Sequence, residues 1–228
     1  MHAGGVYGAT MAHLCDLVLP CKDEAAALPG VLRRVPSGVR VIVVDNGSID
    51  DTASVAARLG AQVVHEASPG YGAAVHAGVT AAEADLVAVM DGDGSLDPAQ
   101  LPELLAAVLT GAAHLAVGRR RPTVSSAWPR YAQAANALAA WRLRRCGVDV
   151  HDIGPMRVCR RADLLDLAVE DRRYGYPVEL LRRAGEAGWV VREYDVSYFP
   201  RAAGTKSKVT GSFRGRLLAA RDFARQLP

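Results

Sequence analysis

The residues most suited to chemistry are two carboxylates one position apart. Asp91 and Asp93, in the run VAVMDGDGSLDP, follow an apolar stretch. Carboxylates do not stay unpaired inside an apolar sheet, so both belong on the turn beyond it. There they can offer oxygens to one hard divalent ion, Mg²⁺ or Mn²⁺. Such an ion takes few carboxylates and completes its shell with phosphate oxygens and water. Gly92 and Gly94 let the backbone bend and let a bulky ligand approach. An acidic turn between strand and helix is the plain alternative, because Asp-x-Asp is a common tripeptide.

Two more acidic clusters close apolar runs in the same way. In VIVVDNGSIDDT, Asp45 or Asn46 can hydrogen-bond a nucleobase or ribose, while Asp50 and Asp51 suit the cap of the next helix. In LVLPCKDEAAAL, Pro20 ends the run, and Asp23 and Glu24 stand where a helix begins. Capping alone would also account for those two.

Periodicity supplies the elements that position these residues. Apolar runs at 14–19, 39–44, 63–64, 86–90 and 115–117 read as strands. Helical spacing occupies 25–35, 51–59, 70–82 and 98–109, the last closed by Gly111. The alternation predicts an α/β fold, a doubly wound, mainly parallel sheet with helices on both faces. Ligands of such sheets sit beyond the carboxyl ends of the strands, where all three acidic clusters fall. After about residue 118 the pattern changes to helices over 128–146 and 171–188, a strand over 190–199, and a polar segment over 200–212. No repeat or linker interrupts the 228 residues, so one domain is expected.

The net charge of +3 conceals a division, with residues 1–110 at −8 and residues 111–228 at +11. That polarity suggests a cation-binding half and an anion-binding half. No helix-turn-helix, finger or RNP pattern supports a nucleic-acid partner. No run approaches the ~20 apolar residues of a membrane span, and no signal-peptide pattern opens the chain. Cys15, Cys21, Cys146 and Cys159 form no C-x-x-C pair and read as buried reduced thiols, which suits the cytoplasm.

Taken in order, these segments resemble the inverting glycosyltransferases of family 2, which have the GT-A fold. That family's Pro-Ala-Tyr-Asn-Glu is matched by Pro20-Cys21-Lys22-Asp23-Glu24, and its Val-Asp-Asp-Gly-Ser-x-Asp by Val44-Asp45-Asn46-Gly47-Ser48-Ile49-Asp50. Its Gly-x-Gly-x-Ala helix is matched by Gly70-Tyr71-Gly72-Ala73-Ala74, and its Asp-Ala-Asp metal motif by Asp91-Gly92-Asp93, followed by Asp97-Pro98. The resemblance covers about residues 14–118. It implies a donor site of Pro20, Lys22, Asp23, Glu24, Asp45, Asn46, Gly70, Gly72, Asp91 and Gly92, with the metal on Asp91 and Asp93. Asn46 replaces an acid that helps bind the base in relatives, which leaves the donor open between UDP- and GDP-sugars. Lys22 stands where an aromatic residue is common and can meet the diphosphate.

Residues 119–228, the expected acceptor half, resemble more loosely the dolichyl-phosphate mannosyltransferase branch. A Ser-Gly-Phe-Arg-like segment has its counterpart at Asp152-Ile153-Gly154-Pro155-Met156-Arg157, and an Arg-x-x-Gly-x-Ser-Lys segment at 201–208. Seven arginines and no acid between residues 119 and 145 make a physical case for an anionic acceptor, since arginine grips phosphate in a forked geometry. Arg119, Arg130, Arg157 and Arg201 are the expected working minority. Lys206, Ser207 and Lys208 join the acceptor contacts, and Lys206 or Lys208 can also close over the donor. A polyprenyl phosphate brings its own nucleophilic oxygen, whereas a hydroxyl acceptor needs a base, for which Asp152 and Glu179 are the candidates. Catalytic roles are therefore expected of Asp93, Asp152, Arg157 and Glu179. Phe213, Leu217, Ala220, Ala224 and Leu227 share one helical face, so a C-terminal amphipathic helix can lie on the inner face of the plasma membrane or pack on the protein. Competing readings are a hydroxyl acceptor on a soluble metabolite, lipid or natural product, a nucleotidyltransferase, and a non-catalytic nucleotide-binding module.

Overall fold

A computed structural model describes residues 13–203 together with 221, 222, 225 and 226. Seven strands form one sheet: β1 (Cys15–Cys21), β2 (Val39–Asp45), β3 (Gln62–His65), β4 (Leu86–Val89), β5 (Leu115–Pro122), β6 (Met156–Arg160) and β7 (Val191–Tyr198). Their order is β3-β2-β1-β4-β6-β5-β7. Only β6 runs antiparallel, between β4 and β5. The helices are α1 (Leu28–Leu32), α2 (Thr52–Arg58), α3 (Tyr71–Ala81), α4 (Leu101–Leu109), α5 (Arg130–Arg145), α6 (Arg161–Asp166) and α7 (Tyr176–Glu186).

The alternation of side chains along each strand explains the two layers of helices. From β1, Leu17, Leu19 and Cys21 face one core with Leu28, Leu101 and Leu104 of α1 and α4. Val18 faces the other core with Ala74, Val75 and Val79 of α3 and Leu181 of α7. Burial on both faces is why the strands read as continuous apolar runs. The doubly wound, mainly parallel α/β sheet is thus as expected.

Several elements differ from the sequence reading. β6 and α6 were not anticipated. The segment MRVCR is short and carries two arginines, and it becomes a strand because β4 and β5 flank it with open edges. β5 continues past Val117 through Arg121, since β7 pairs along its whole length. α1 begins at Leu28 without a side-chain cap, so Asp23 and Glu24 do not cap it. Asp51 makes no capping bond either; Asp50 instead accepts from the Thr52 amide at 3.0 Å and the Ala25 amide at 3.1 Å. The expected helix over 171–188 starts only at Tyr176. Cys146 is exposed, a correction to its expected burial, while the other three cysteines are buried free thiols.

At the end of the sheet away from the acidic clusters, Asp16 is fully buried. Its oxygens accept two bonds of 2.7 Å from Arg40 and bonds from the Glu83 and Ala84 amides at 2.6 and 2.9 Å. Burial alone would raise its pKa, but the Arg40 guanidinium and the two amides outweigh that and hold it below the ordinary carboxylate value. Asp16→Ala should therefore cost about 3 kcal/mol, because it leaves two amides unpaired and Arg40 with only Glu83 as a partner among the described residues. Urea unfolding at neutral pH checks this; a loss below about 1 kcal/mol would show that the site relaxes around the gap.

Candidate active site

A cavity of about 670 Å³ opens at the carboxyl edge of the sheet. β1 and β4 are neighbours there although β2 follows β1 in sequence on the other side. This is the crevice where a doubly wound sheet receives ligands. Pro20, Lys22 and Glu24 enter from the end of β1, Asn46 from beyond β2, Gly70 and Tyr71 from the start of α3, and Asp91, Gly92 and Asp93 from beyond β4. The opposite wall comes from the second half of the chain: Arg120 on β5, Trp128, Tyr131 of α5, Ile153, Arg157 on β6, Arg173, Tyr198 and Arg201. Ten of the anticipated residues therefore share one cavity: Pro20, Lys22, Glu24, Asn46, Gly70, Asp91, Gly92, Asp93, Arg157 and Arg201.

Five others, Asp23, Asp45, Gly72, Asp152 and Glu179, have structural occupations and do not line it. Asp45 accepts from the Ser48 amide at 3.0 Å and lies 3.3 Å from His65. Asp23, in the left-handed region at φ 54°, accepts from the Ile49 amide at 2.8 Å and so pins one loop to the next. Gly72 packs against backbone, where an added methyl would lie 2.2 Å from the Asp171 carbonyl oxygen. Asp152 is held by Arg120 at 2.6 and 2.9 Å, and Glu179 by the Asp171 amide and Arg183, both at 2.6 Å. Burial would raise both carboxyls, yet Arg120 for Asp152, and backbone amides with Arg183 for Glu179, outweigh it and lower them. Neither is poised as a base, because each is already committed to a cation. Arg119 and Arg130 do not line the cavity. Lys206, Ser207, Lys208 and the C-terminal face at Phe213, Leu217, Ala220, Ala224 and Leu227 lie outside the described residues.

Asn46 is a wall of the cavity and also its fastener. Its amide nitrogen donates to the Glu66 and Ser68 carbonyls at 2.9 and 2.8 Å, and its oxygen accepts from the Gly70 amide at 2.8 Å. These bonds use the groups that a base or ribose would need. Gly92 also serves packing: an added methyl would meet the Cys21 sulfur at 2.5 Å.

Arg120 escaped the sequence reading because three consecutive arginines look alike. Strand alternation turns it inward, where its guanidinium lies 3.9 Å from the Trp128 ring centroid and 5.5 Å from that of Tyr198. Arg157 is 3% exposed. It donates to the Ile153 carbonyl at 2.6 Å, while its Nε has no partner among the described residues.

The sequence matches Glycosyl transferase family 2 over residues 16–167. The chain belongs to that family. It is 58% identical over 208 residues to an uncharacterised glycosyltransferase of Mycobacterium tuberculosis, covering 91% of this chain and 94% of the relative. It is 33% identical to the polyprenol monophosphomannose synthase of Mycolicibacterium smegmatis, covering 92% and 91%. Glucosyl-3-phosphoglycerate synthase of M. tuberculosis, solved with Mn²⁺, UDP and glucosyl-3-phosphoglycerate, superposes with a TM-score of 0.71 at 23% identity, over 94% of this chain and 78% of that one. The sheet of this family 2 glycosyltransferase is accordingly a GT-A fold.

The transferase concentrates charge at the end of β4. Burial and the neighbouring Asp93 raise the Asp91 carboxyl to about 6, against the pull of Arg201, Arg120 and Arg157. Asp93 is 2% exposed, forms an ion pair with Arg201, and accepts from the Ser95 amide at 2.9 Å. Its carbonyl accepts from the Ala202 amide at 3.0 Å, which ties the chain after β7 to the acidic turn. Among the described residues no cluster of three or more His, Cys, Asp or Glu side chains has ligand geometry.

A raised carboxyl pKa costs stability wherever the group is ionised in the fold. Between the unfolded value near 4 and the folded value near 6, only the folded chain holds the proton, so stability falls as pH rises through that window. Asp91→Asn should therefore melt above the wild-type protein at pH 7 in the presence of a chelator, by on the order of 2 kcal/mol. The advantage should shrink below pH 6 and disappear near pH 4. A pH-independent difference between the two melting curves would contradict this origin.

Proposed function

We propose that this glycosyltransferase moves a sugar from a UDP- or GDP-linked donor onto the phosphate oxygen of a polyprenyl phosphate, with inversion at the anomeric carbon. The observation that carries the proposal is Arg157, a buried guanidinium on the cavity wall with a donor to spare, close enough to Asp91 to influence its charge. A buried arginine with an unused donor is suited to an anionic oxygen that arrives with the substrate. The commitment of Asp152 and Glu179 to other arginines points the same way, since an acceptor that is already anionic needs no base. The name of the mycolicibacterial relative is consistent with this acceptor class.

Asp91 and Asp93 fit a Mg²⁺ or Mn²⁺ ion. They are two carboxylates on one turn, Asp91 with a raised pKa that a second positive charge would relieve, and donor phosphate and water can supply the remaining ligands. When bound, the ion supplies Lewis-acid neutralisation of the leaving diphosphate. The solved neighbour's Mn²⁺ and UDP support this choice of cofactor and donor class.

The chain's own residues divide the remaining work. Residues 14–118 hold the donor: Asn46 fixes the wall beside the nucleotide, and Lys22 meets the diphosphate. Residues 119–228 receive the acceptor: Arg157 and Arg120 hold its phosphate, with Arg120 kept flat by Trp128 and Tyr198 and aligned by Asp152. The acceptor oxygen attacks the anomeric carbon as the bond to the diphosphate oxygen breaks in line. Arg201 balances the charge that then gathers on the leaving group. Among the described residues no helix is long and apolar enough to cross a membrane. We place the enzyme at the cytoplasmic face of the plasma membrane, held peripherally.

Purified enzyme with radiolabelled nucleotide sugar, Mn²⁺ and a polyprenyl phosphate should release a nucleoside diphosphate and move label into organic solvent. Asp91→Ala combined with Asp93→Ala should abolish this transfer. Arg157→Ala should raise the acceptor KM tenfold or more with little change in donor affinity. Label remaining in water with a soluble alcohol as acceptor would transfer the assignment to hydroxyl chemistry. Full turnover in the double aspartate variant would remove the metal site.

A further inference from the structure

α5 carries two large apolar residues, Leu138 and Trp141, on its outside. Its inward stripe is Asn136, Ala139, Ala140 and Leu143, all buried. Helical spacing puts Leu138 almost opposite Ala140 and Leu143, on one outer stripe with Ala134, Ala135, Trp141, Arg142 and Arg145. Leu138 is 55% exposed and Trp141 45% exposed. A helix that only packs on a core shows the reverse distribution. Val124, on the connection leading into α5, is 48% exposed as well.

The charge along this stretch of chain has one sign. Residues 119–148 contain seven arginines and no acid. Arg130, Arg142 and Arg145 are exposed, and the Arg145 guanidinium lies 5.1 Å from the Trp141 ring centroid. A Trp and a Leu flanked by arginines match the boundary between lipid headgroups and acyl chains, where indole is favoured and arginine meets anionic headgroups. Face-to-face contact between two copies of the chain would set these arginine clusters against each other, which like charges oppose.

The same helix forms part of the cavity wall through Tyr131, Ala132 and Ala135. We propose that the outer face of α5 docks the enzyme on an anionic lipid bilayer. Leu138 and Trp141 enter the boundary region, and Arg142 and Arg145 lie on the headgroups. The inference rests on the proposed lipid-linked acceptor for its purpose, since it brings the cavity beside the membrane, but the residues that carry it are separate from those of the transfer reaction.

The test uses the full chain and vesicles of phosphatidylcholine with or without phosphatidylglycerol, free of polyprenyl phosphate. Wild-type protein should sediment with the anionic vesicles, less so as salt rises, and brominated lipid should quench its fluorescence. The quenching should vanish in Trp141→Phe. Leu138→Gln with Trp141→Gln should weaken vesicle binding at least tenfold, and Arg145→Glu severalfold, with unchanged melting temperatures because these side chains are exposed. Turnover on a detergent-dispersed short-chain prenyl phosphate should survive in the Leu138/Trp141 variant, while turnover on acceptor embedded in vesicles falls. Equal vesicle binding by wild type and variant would overturn the proposal. So would a self-association that the variant abolishes without change in vesicle binding. Absence of transfer to any prenyl phosphate, with vesicle binding still dependent on Leu138 and Trp141, would overturn the acceptor assignment and leave the docking face standing.

Discussion

Asp91 and Asp93 set two negative charges side by side at the end of a strand that is buried on both faces. Water cannot fully solvate them there, and burial together with the neighbouring Asp93 makes Asp91 harder to ionise. The rest of the site answers that crowding with positive charge. Arg120, Arg157 and Arg201 come from the end of β5, the start of β6 and the chain after β7. All three converge because β5, β6 and β7 continue the sheet beyond β4. The antiparallel direction of β6 matters here: its first residues, not its last, lie at the carboxyl edge of the parallel strands, so Arg157 reaches the site only in this orientation.

Around that centre most of the polar side chains hold the loops together. Ser48 receives the Asp23 amide at 3.0 Å, Asp23 receives the Ile49 amide, and Thr52 receives the Glu24 amide at 2.8 Å. Asn46 fastens the loop beyond β3 and the start of α3. These bonds satisfy backbone groups that irregular segments leave unpaired, and they hold the wall of the cavity beyond β1 and β2 in place. The opposite wall of the cavity is organised differently. There a single guanidinium, Arg120, is fixed by the Asp152 carboxylate and lies against the Trp128 and Tyr198 rings.

Local patterns along the chain specify the strands of the first half and the approximate places of its helices, the mainly parallel direction of the sheet, and the placement of three acidic clusters at strand ends. Apolar runs, helical spacing and the turn residues after each strand are local signals, and local signals suffice there. The sequence also marked Asp91, Asp93, Arg157 and Arg201, whose types and motifs are distinctive. Tertiary structure decided what local patterns cannot encode. MRVCR became a strand because two neighbours offered hydrogen bonds to it. Of three adjacent arginines, Arg120 turned inward because β7 extended β5 and fixed its alternation. Asp152 and Glu179 are equally plausible bases in a linear reading, and the fold shows Asp152 held by Arg120 of β5 and Glu179 by Arg183 one helical turn on. A side chain's type is written in the chain, but whether its charge is already neutralised depends on partners that only folding brings within bonding distance.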